Sequence, residues 1–266
     1  MADGVRLALR RFAPAGTPRA AVLCTHAMMV HGRYFHRFAE AAAGQGLDMF
    51  VLDWRGHGES KPPSPKGGTW TFDDYVALDL PAALTAVATT SGCRASDVAI
   101  LGHSLGGLVT LAALGTSVVR VRRILLAATS VWLHGAHGPF RRRATMRIYD
   151  SVARVFGYAP IKRLGFGSED EPASYVTQLA SWARTGRWTS RDGVDYLASL
   201  AHVETPASAV VGDSDRLCSP SDVSVLTRRL PHAVPLRIVP GADHFTLFTR
   251  ESPVWNDMAR ALSVGS

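Results

Sequence analysis

The stretch Val98-Ala-Ile-Leu-Gly-His-Ser-Leu-Gly-Gly107 decides the fold of this chain. Its first four residues form an apolar run that predicts a strand buried on both faces, and the uncharged residues 105–114 predict a helix. Between them lies the pattern Gly-x-Ser-x-Gly around Ser104, whose small neighbours suit a sharp strand-to-helix turn with a strained serine. Because the amino end of a helix favours negative charge, the sequence predicts that Ser104 is a nucleophile.

Apolar runs and helical segments alternate on both sides of this stretch. Strands are predicted at residues 5–10, 20–25, 48–53, 98–101, 123–128, 207–211 and 236–239, and helices at residues 35–46, 75–90, 105–114 and 220–229 and at the C-terminus. The alternation predicts an α/β protein whose mostly parallel sheet is covered by helices on both faces. Residues 98–119 carry no charge, but their clustered glycines favour a strand and a helix over a membrane span.

Residues 130–203 interrupt this alternation. They hold no convincing strand, but residues 144–156 and 173–184 are predicted to be helical, and aromatic residues are frequent, among them Trp132, Phe140, Tyr149, Tyr175, Trp182 and Trp188. The segment falls at the edge of the sheet where strands end. We therefore interpret it as a helical lid, inserted into a core made of residues 1–129 and 204–266.

A serine nucleophile needs a base, and that base needs an acid to orient it. The expected chain order of nucleophile, acid and histidine places both partners on loops after later strands. His244 lies on the loop after the last predicted strand, whereas His202 and His232 follow no strand so directly. The sequence thus favours His244 as the general base.

The loop after residues 207–211 supplies two carboxylates for the acid, Asp213 and Asp215. Asp215 lies farther out along the loop and is the preferred choice, followed by Asp213 and then by Asp222. No acidic residue stands at the end of residues 123–128, so the alternative acid position one strand earlier is empty.

The tetrahedral intermediate of an acyl transfer needs two backbone N–H donors for its oxyanion. We expect one from Leu105, directly after the nucleophile, and one from Met28 on the loop after residues 20–25, with Met29 as the alternative. His26 is also suited to hold that loop by a hydrogen bond. The residues expected to line the substrate site are His26, Ala27, Met29, His103 and Phe245.

Charge and cysteine content narrow the partners and the compartment. The formal charge is +7, but the arginines are dispersed and no aromatic-interleaved basic stripe appears, which argues against nucleic acid. An anionic surface or an anionic carrier remains compatible with that charge. The three cysteines have neither disulfide-type nor metal-type spacing, and the N-terminus lacks an apolar secretory signal, so a cytoplasmic protein without a metal is expected.

Three motifs together resemble the α/β-hydrolase superfamily: Gly102-His-Ser-Leu-Gly-Gly107, Asp53-Trp-Arg-Gly-His-Gly-Glu-Ser60 and Gly241-Ala-Asp-His244. Within it, His26 followed by His31-Gly-Arg-Tyr34 is similar to the monoacylglycerol lipase and lysophospholipase branch, although Ala27 stands where that family usually has glycine. The resemblance implies a mostly parallel eight-stranded sheet, a helical lid after the sixth strand and no cofactor.

The resemblance also implies an activity and its residues. It predicts a serine hydrolase that cleaves small-molecule carboxylic esters with an apolar acyl group. Ser104, Asp215 and His244 would form the triad, and the amides of Met28 and Leu105 the oxyanion hole.

Two other functions agree with the sequence. The segment 130–203 carries ten Lys and Arg against six Asp and Glu, which would suit an anionic carrier or coenzyme phosphate. A thioesterase, an acyltransferase or a macrocyclising enzyme acting on a biosynthetic acyl intermediate is therefore the alternative. The third hypothesis is a non-catalytic receptor for a hydrophobic ligand on the same fold. The intact triad argues against this hypothesis.

Overall fold

A seven-stranded sheet forms the centre of the computed structural model, which describes residues 3–61, 63–131 and 139–263. The strands of these residues are β1 (Leu9–Phe12), β2 (Ala20–Thr25), β3 (Leu47–Leu52), β4 (Ala99–His103), β5 (Arg123–Ala127), β6 (Tyr158–Ala159), β7 (Glu171–Pro172), β8 (Ala207–Gly212) and β9 (Leu236–Val239). The main sheet has the order β1-β3-β2-β4-β5-β8-β9. β1 pairs antiparallel with β3 and all other pairings in this sheet are parallel, which confirms the predicted α/β architecture.

Three details of the sheet differ from the prediction. The main sheet of the described residues has seven strands instead of eight, because β1 pairs with β3 alone and no further strand extends that edge. The long insertion consequently follows the fifth strand, β5, and not the sixth. The insertion also contains a two-stranded sheet, since β6 and β7 pair antiparallel. Strands of two residues are too short to show alternation in a sequence.

Helices pack on the sheet in two pairs, one made of α1 and α11 and the other of α3 and α4. The helices of the described residues are α1 (His36–Gly44), α2 (Phe72–Asp74), α3 (Leu80–Ser91), α4 (Leu105–Gly115), α5 (Pro139–Phe156), α6 (Ile161–Leu164), α7 (Ala173–Thr185), α8 (Tyr196–Ser199), α9 (Pro220–Thr227), α10 (Thr246–Thr249) and α11 (Val254–Ser263). β2, β3 and β4 are buried along their whole length, as their apolar sequences require.

The helix predicted at residues 75–90 begins instead with a turn of π-helix, Tyr75–Asp79, in front of α3. Here the amide of Leu80 donates to the carbonyl of Tyr75, five residues earlier. Pro81 follows, and its ring has no amide hydrogen and clashes with the carbonyl that a regular helix would place there. The wider turn brings the buried carboxylate of Asp79 to 2.8 Å from Nε of Arg55.

The insertion between β5 and β8 shares the hydrophobic core of the sheet. Its side chains Tyr175, Trp182, Trp188 and Tyr196 are buried in the main core cluster, and Phe72 of α2 stacks edge-on against three of them. A smaller cluster of Ala153, Ala159, Ile161 and Val176 joins α5, α6 and α7, and Met29 of the core packs against it. Trp132 lies outside the described residues, and no side chain is described at Phe140.

The three cysteines lie at different depths and form no disulfide. Cys24, in the interior strand β2, and Cys218, in the loop after β8, are buried, whereas Cys93 is partly exposed. Among the described residues, no helix combines the length and the hydropathy that crossing a bilayer would need.

Candidate active site

Ser104 occupies a strained turn between β4 and α4. Its φ is 51° and its ψ is −111°, values that an L-amino acid other than glycine rarely adopts. Its amide donates to the carbonyl of Ala127 over 2.9 Å, which fixes the turn to β5. A Cβ on Gly106 would lie 2.3 Å from the carbonyl oxygen of Thr25, so only glycine permits this approach of α4 to β2. The strand-to-helix turn expected from the sequence is therefore present, with a half-buried serine at its apex.

His244 and Asp215 meet at the carboxyl edge of the sheet. Nδ1 of His244 lies 2.7 Å from Oδ2 of Asp215, and both side chains are buried. The other oxygen of Asp215, Oδ1, accepts from the amides of Leu217 and Cys218 over 2.8 Å each. The carboxylate is thus fixed on both sides, and it holds the imidazole with Nδ1–H turned toward the acid and Nε2 turned away from it.

The alternative acids have other partners. Asp213 Oδ1 accepts from the amide of Gly241 over 2.8 Å and from the hydroxyl of Ser214, which ties the loop after β8 to the loop after β9. Asp222 forms a capping box with Ser219 at the start of α9 and pairs with Arg142. Of the three candidates, Asp215 is the carboxylate that the structure brings to His244.

His103, directly before Ser104, connects the turn to His244. The ring centroids of the two histidines are 4.7 Å apart, and Nδ1 of His103 lies 2.6 Å from the hydroxyl of Tyr34. Burial, aided by His244, holds the pKa of His103 well below its usual value, so this ring is neutral. Phe245 stands edge-on to His103, His244 and Tyr34, and completes an aromatic wall beside the turn.

The loop after β2, residues 26–29, begins close to the turn, because a Cβ on Gly106 would lie 2.3 Å from the carbonyl oxygen of Thr25. His26 is fully buried: its Nε2 accepts from the amide of Trp54 over 3.0 Å, and its Nδ1 lies 2.7 Å from the carbonyl of Ala27. Both ring nitrogens are thus used to hold the loop. Burial, together with the nearby His57, keeps the pKa of His26 well below its usual value, so its ring is neutral as well.

The amides of this loop differ in their partners. The amide of Ala27 donates to the hydroxyl of Tyr34 over 3.1 Å, and the amide of Met29 donates to Oε1 of Glu171 over 2.8 Å. Within the described part of the chain, the amide of Met28 makes no hydrogen bond. Leu105 is the first residue of α4, so its amide has no carbonyl partner inside the helix. Of the amides expected for an oxyanion, those of Met28 and Leu105 therefore have no partner among the residues that the structure describes, whereas that of Met29 is bound to Glu171.

Sequence reasoning missed two residues of this region. Tyr34 links the loop after β2 to His103, although in the sequence it stood out only as part of a motif. Glu171 lies 142 positions from Met29, in a segment without a strong pattern. Glu171 ends the acidic run Glu169-Asp170-Glu171, a pattern that is usual for a solvated surface and does not identify a partner.

A family model described as "Serine aminopeptidase, S33" matches residues 16–251. Among curated proteins, the chain is 25% identical over 260 residues to a monoacylglycerol lipase of Mycolicibacterium smegmatis, covering 91% of this chain and 86% of that protein. It is 25% identical over 233 residues to a pimeloyl-[acyl-carrier protein] methyl ester esterase of Xanthomonas campestris, covering 82% and 85%. Identity to Lipase LipV of Mycobacterium tuberculosis is 30% over 132 residues, which cover 50% of this chain and 45% of the lipase.

Solved structures share the fold at lower identity. The monoacylglycerol lipase of Paleococcus ferrophilus superposes with a TM-score of 0.67 at 14% identity, covering 97% of both chains. The esterase EaEST of Exiguobacterium antarcticum gives a TM-score of 0.69 at 15% identity, covering 98% of this chain and 97% of the other. These likenesses extend along the sheet and the insertion together. The chain belongs to the serine aminopeptidase S33 family and is an α/β-hydrolase enzyme of the esterase and lipase type.

Proposed function

We propose that this chain is a serine esterase in which Ser104 is the nucleophile, His244 the general base and Asp215 the acid. The observation that carries the proposal is the 2.7 Å contact between His244 and Asp215. It lies at the same sheet edge as a serine at φ 51°. A serine hydroxyl reacts at neutral pH only when a base takes its proton, and a histidine does so when a carboxylate fixes its tautomer and orientation.

The reaction proceeds in two halves. Oγ of Ser104 attacks the ester carbonyl while Nε2 of His244 takes its proton, and the amides of Met28 and Leu105 donate to the oxyanion. The alcohol leaves with the proton that His244 carries, and the acyl group stays on Ser104. A water molecule, deprotonated by His244, then attacks the acyl-enzyme. The carboxylic acid product is released as Ser104 recovers its proton from His244.

The proposed substrates are carboxylic esters with an apolar acyl group, such as monoacylglycerols. Apolar side chains around the turn support this choice: Met28, Leu105 and Phe245 are half-buried or buried beside the proposed triad. The relative from Mycolicibacterium smegmatis is by its name a monoacylglycerol lipase. The insertion of residues 130–203 would act as the lid over the proposed substrate site.

Replacing Ser104 tests the nucleophile. We expect Ser104→Ala to abolish both turnover of p-nitrophenyl esters of graded chain length and covalent labelling by a fluorophosphonate probe. Ser117→Ala is the matched control, because Ser117 is also a non-glycine residue at positive φ, 59°, but is exposed beyond α4. Labelling retained by Ser104→Ala, or lost in Ser117→Ala, would refute the assignment.

A thioesterase or acyltransferase is the second candidate, favoured by the basic insertion, which would suit an anionic carrier. The relative from Xanthomonas campestris is named for a carrier-bound substrate, although it is by its name an esterase. In this case the acyl-enzyme forms in the same way, but the substrate is a thioester or the acceptor is an alcohol. A panel that pairs each ester with its thioester separates the two classes by kcat/KM. Analysis of free acid against new ester or lactone separates hydrolysis from acyl transfer.

We further propose that the insertion binds the surface of an anionic lipid membrane, where the enzyme takes up its substrate. Val155 and Phe166 are 80% and 74% exposed, and Ile148, Phe156 and Leu164 are also exposed. The cluster of Ala153 and Ile161 joins α5 to α6, so these apolar side chains lie at one end of the insertion, the end that contacts Met29. Exposed basic residues lie among them, namely Arg147, Arg154, Lys162 and Arg163. Apolar side chains flanked by basic ones suit an anionic bilayer surface.

Vesicle sedimentation tests this surface. We expect binding to phosphatidylglycerol vesicles that weakens with salt and is absent with phosphatidylcholine, and we expect Phe166→Asp to weaken it about tenfold. Ile238→Asp is the control, since Ile238 is an exposed apolar residue of β9, outside the insertion. Equal binding to both lipids, or binding to an acidic carrier protein alone, would contradict the proposal.

A further inference from the structure

Three residues of the insertion, Ser168, Glu169 and Glu171, hold the backbone of Met29 from both sides, and we call them together the clamp segment. The amides of Ser168 and Glu169 both donate to the carbonyl of Met29, each over 3.0 Å. The carboxylate of Glu171 accepts from the Met29 amide over 2.8 Å. The only backbone donor and acceptor of Met29 are therefore both bound by the clamp segment.

Met29 needs this support because of its backbone. Its φ is 65°, in the left-handed region that a methionine rarely adopts and that glycine occupies freely. Such a conformation persists when neighbouring groups fix it. Gly167 allows the approach, since a Cβ at that position would lie 2.5 Å from the Met29 carbonyl oxygen.

The amides on either side of Met28 are fixed by different parts of the molecule. Tyr34 accepts from the amide of Ala27, and Glu171 accepts from the amide of Met29. The Met28 amide lies between them and, within the described residues, has no partner. The orientation of this free donor is set by the two bonds that flank it.

Glu171 is itself anchored to the core. Its side chain is fully buried, and Oε1 lies 3.2 Å from Nε2 of His57, whose Nδ1 lies 2.9 Å from the carbonyl of Arg55. Both ring nitrogens of His57 thus face oxygen acceptors, an arrangement that suits an imidazolium with two N–H donors. Burial opposes that charge, but Glu171 outweighs it and raises the pKa of His57. The carboxylate therefore joins the insertion, the loop after β2 and the loop after β3.

We propose that Glu171 is a positioning residue for the oxyanion hole, holding the Met28 amide in its productive direction through the amide of Met29. The inference rests on the proposed esterase function. It assigns to the insertion a part in the chemical step, in addition to its proposed role as a lid. A donor displaced by about 1 Å costs on the order of a hundredfold in rate, so loss of this support should appear in kcat.

The test compares three variants on a p-nitrophenyl ester. Glu171→Met has nearly the volume of glutamate but offers no strong acceptor, and we expect kcat to fall about 10- to 100-fold with KM within about threefold. Glu171→Gln keeps an oxygen at the same place, so we expect it to retain kcat within about fivefold. Asp170→Asn is the matched control: it removes a neighbouring charge whose carboxylate accepts from the amide of Lys162, not from Met29.

The outcome that would overturn the proposal is a kcat for Glu171→Met within threefold of wild type. An equal loss in Asp170→Asn, or a change confined to KM, would overturn it as well, because a general loosening of the insertion would then explain the effect. An increase in kcat would also refute the proposal, because it would indicate that the Met29 amide, once released from Glu171, is the better oxyanion donor.

A second variant covers the case in which Glu171→Met does not fold, as judged by circular dichroism. Replacing Met29 by its α-hydroxy acid removes the N–H that Glu171 binds and leaves all side chains in place. We expect the same fall in kcat and an equal loss of affinity for an alkyl boronic acid, which forms a tetrahedral adduct on the serine. If the wild-type protein shows no Ser104-dependent hydrolysis, the esterase proposal fails; if it does and these variants match it, the positioning role alone fails.

Discussion

Two carboxylates in the loop after β8 lie two positions apart and serve different purposes. Asp215 accepts from two backbone amides and faces His244, whereas Asp213 ties two loops together. The sequence predicts both as candidates, because it places them after a strand. It favours Asp215 by distance along the loop, but the partners of each oxygen depend on how the loop turns back on itself.

Substituting these two aspartates separates their roles. We expect Asp215→Asn to lower kcat by about 10⁴, because an amide in its place favours the wrong tautomer of the histidine. Asp213→Asn should stay within about tenfold of wild type, since an amide oxygen can still accept from Gly241. Steady-state kinetics on one ester checks both variants, and a reversed order would assign the acid to Asp213.

His57 is expected to make stability depend on pH. Its pKa is raised in the folded protein, so the folded state binds this proton more tightly than the unfolded chain does. Its contribution is therefore complete below the unfolded pKa of about 6.5 and is lost as pH rises through the folded pKa. Urea unfolding between pH 5 and 9 should show the stability difference between wild type and His57→Gln shrinking with rising pH.

The control for this pH dependence is His36, whose pKa is lowered, mainly by burial and then by Arg10. The stability difference between wild type and His36→Gln should change in the opposite direction, growing as pH rises. Parallel slopes for the two variants would mean that His57 carries no proton in the folded state.

At the scale of elements, α4 approaches the sheet more closely than an ordinary side chain allows. We expect Gly106→Ala to destabilise the protein by roughly 1–3 kcal/mol, because its Cβ would overlap the carbonyl of Thr25. Gly44→Ala should have the opposite effect, since Gly44 ends α1 with open space around it, and alanine stabilises a helix by roughly 0.5–1 kcal/mol. Equilibrium unfolding measures both, and equal effects would rule out the steric explanation.

The sequence predicts these elements well where one pattern dominates. Buried parallel strands appear as continuous apolar runs, so β2 and β3 lie within one residue of their predicted positions, while β4 begins one residue and ends two residues later than predicted. Helical periodicity does not predict the π-helical turn before α3, because Arg55, which the turn brings into contact with Asp79, lies 24 positions away in the chain. The contacts of the clamp segment could not be predicted for a similar reason, because they join residues that are far apart in the chain.

At the scale of the whole molecule, the insertion and the sheet share one hydrophobic core. Phe72 of α2 stacks against Trp182 and Trp188 of the insertion, and Gln178 of α7 accepts from the amide of Phe72. An insertion that shares its core in this way is expected to unfold together with the sheet. We therefore expect the boundaries predicted at residues 130 and 203 to mark a change of sequence pattern rather than the limits of a unit that folds by itself.

The three cysteines lie at different depths, so the rate at which each one is alkylated reports how often the structure around it opens. A thiol reacts with an alkylating reagent only as an exposed thiolate, and burial raises the pKa of Cys24 and Cys218. In native-state labelling followed by mass spectrometry, Cys93 should be modified first, Cys218 next and Cys24 last. The amide of Cys218 donates to Asp215, so the labelling rate of Cys218 measures how often the loop that carries Asp215 opens. Cys24, on the fully buried strand β2, should react only when the whole protein unfolds, and labelling of Cys24 as fast as that of Cys93 would contradict this order.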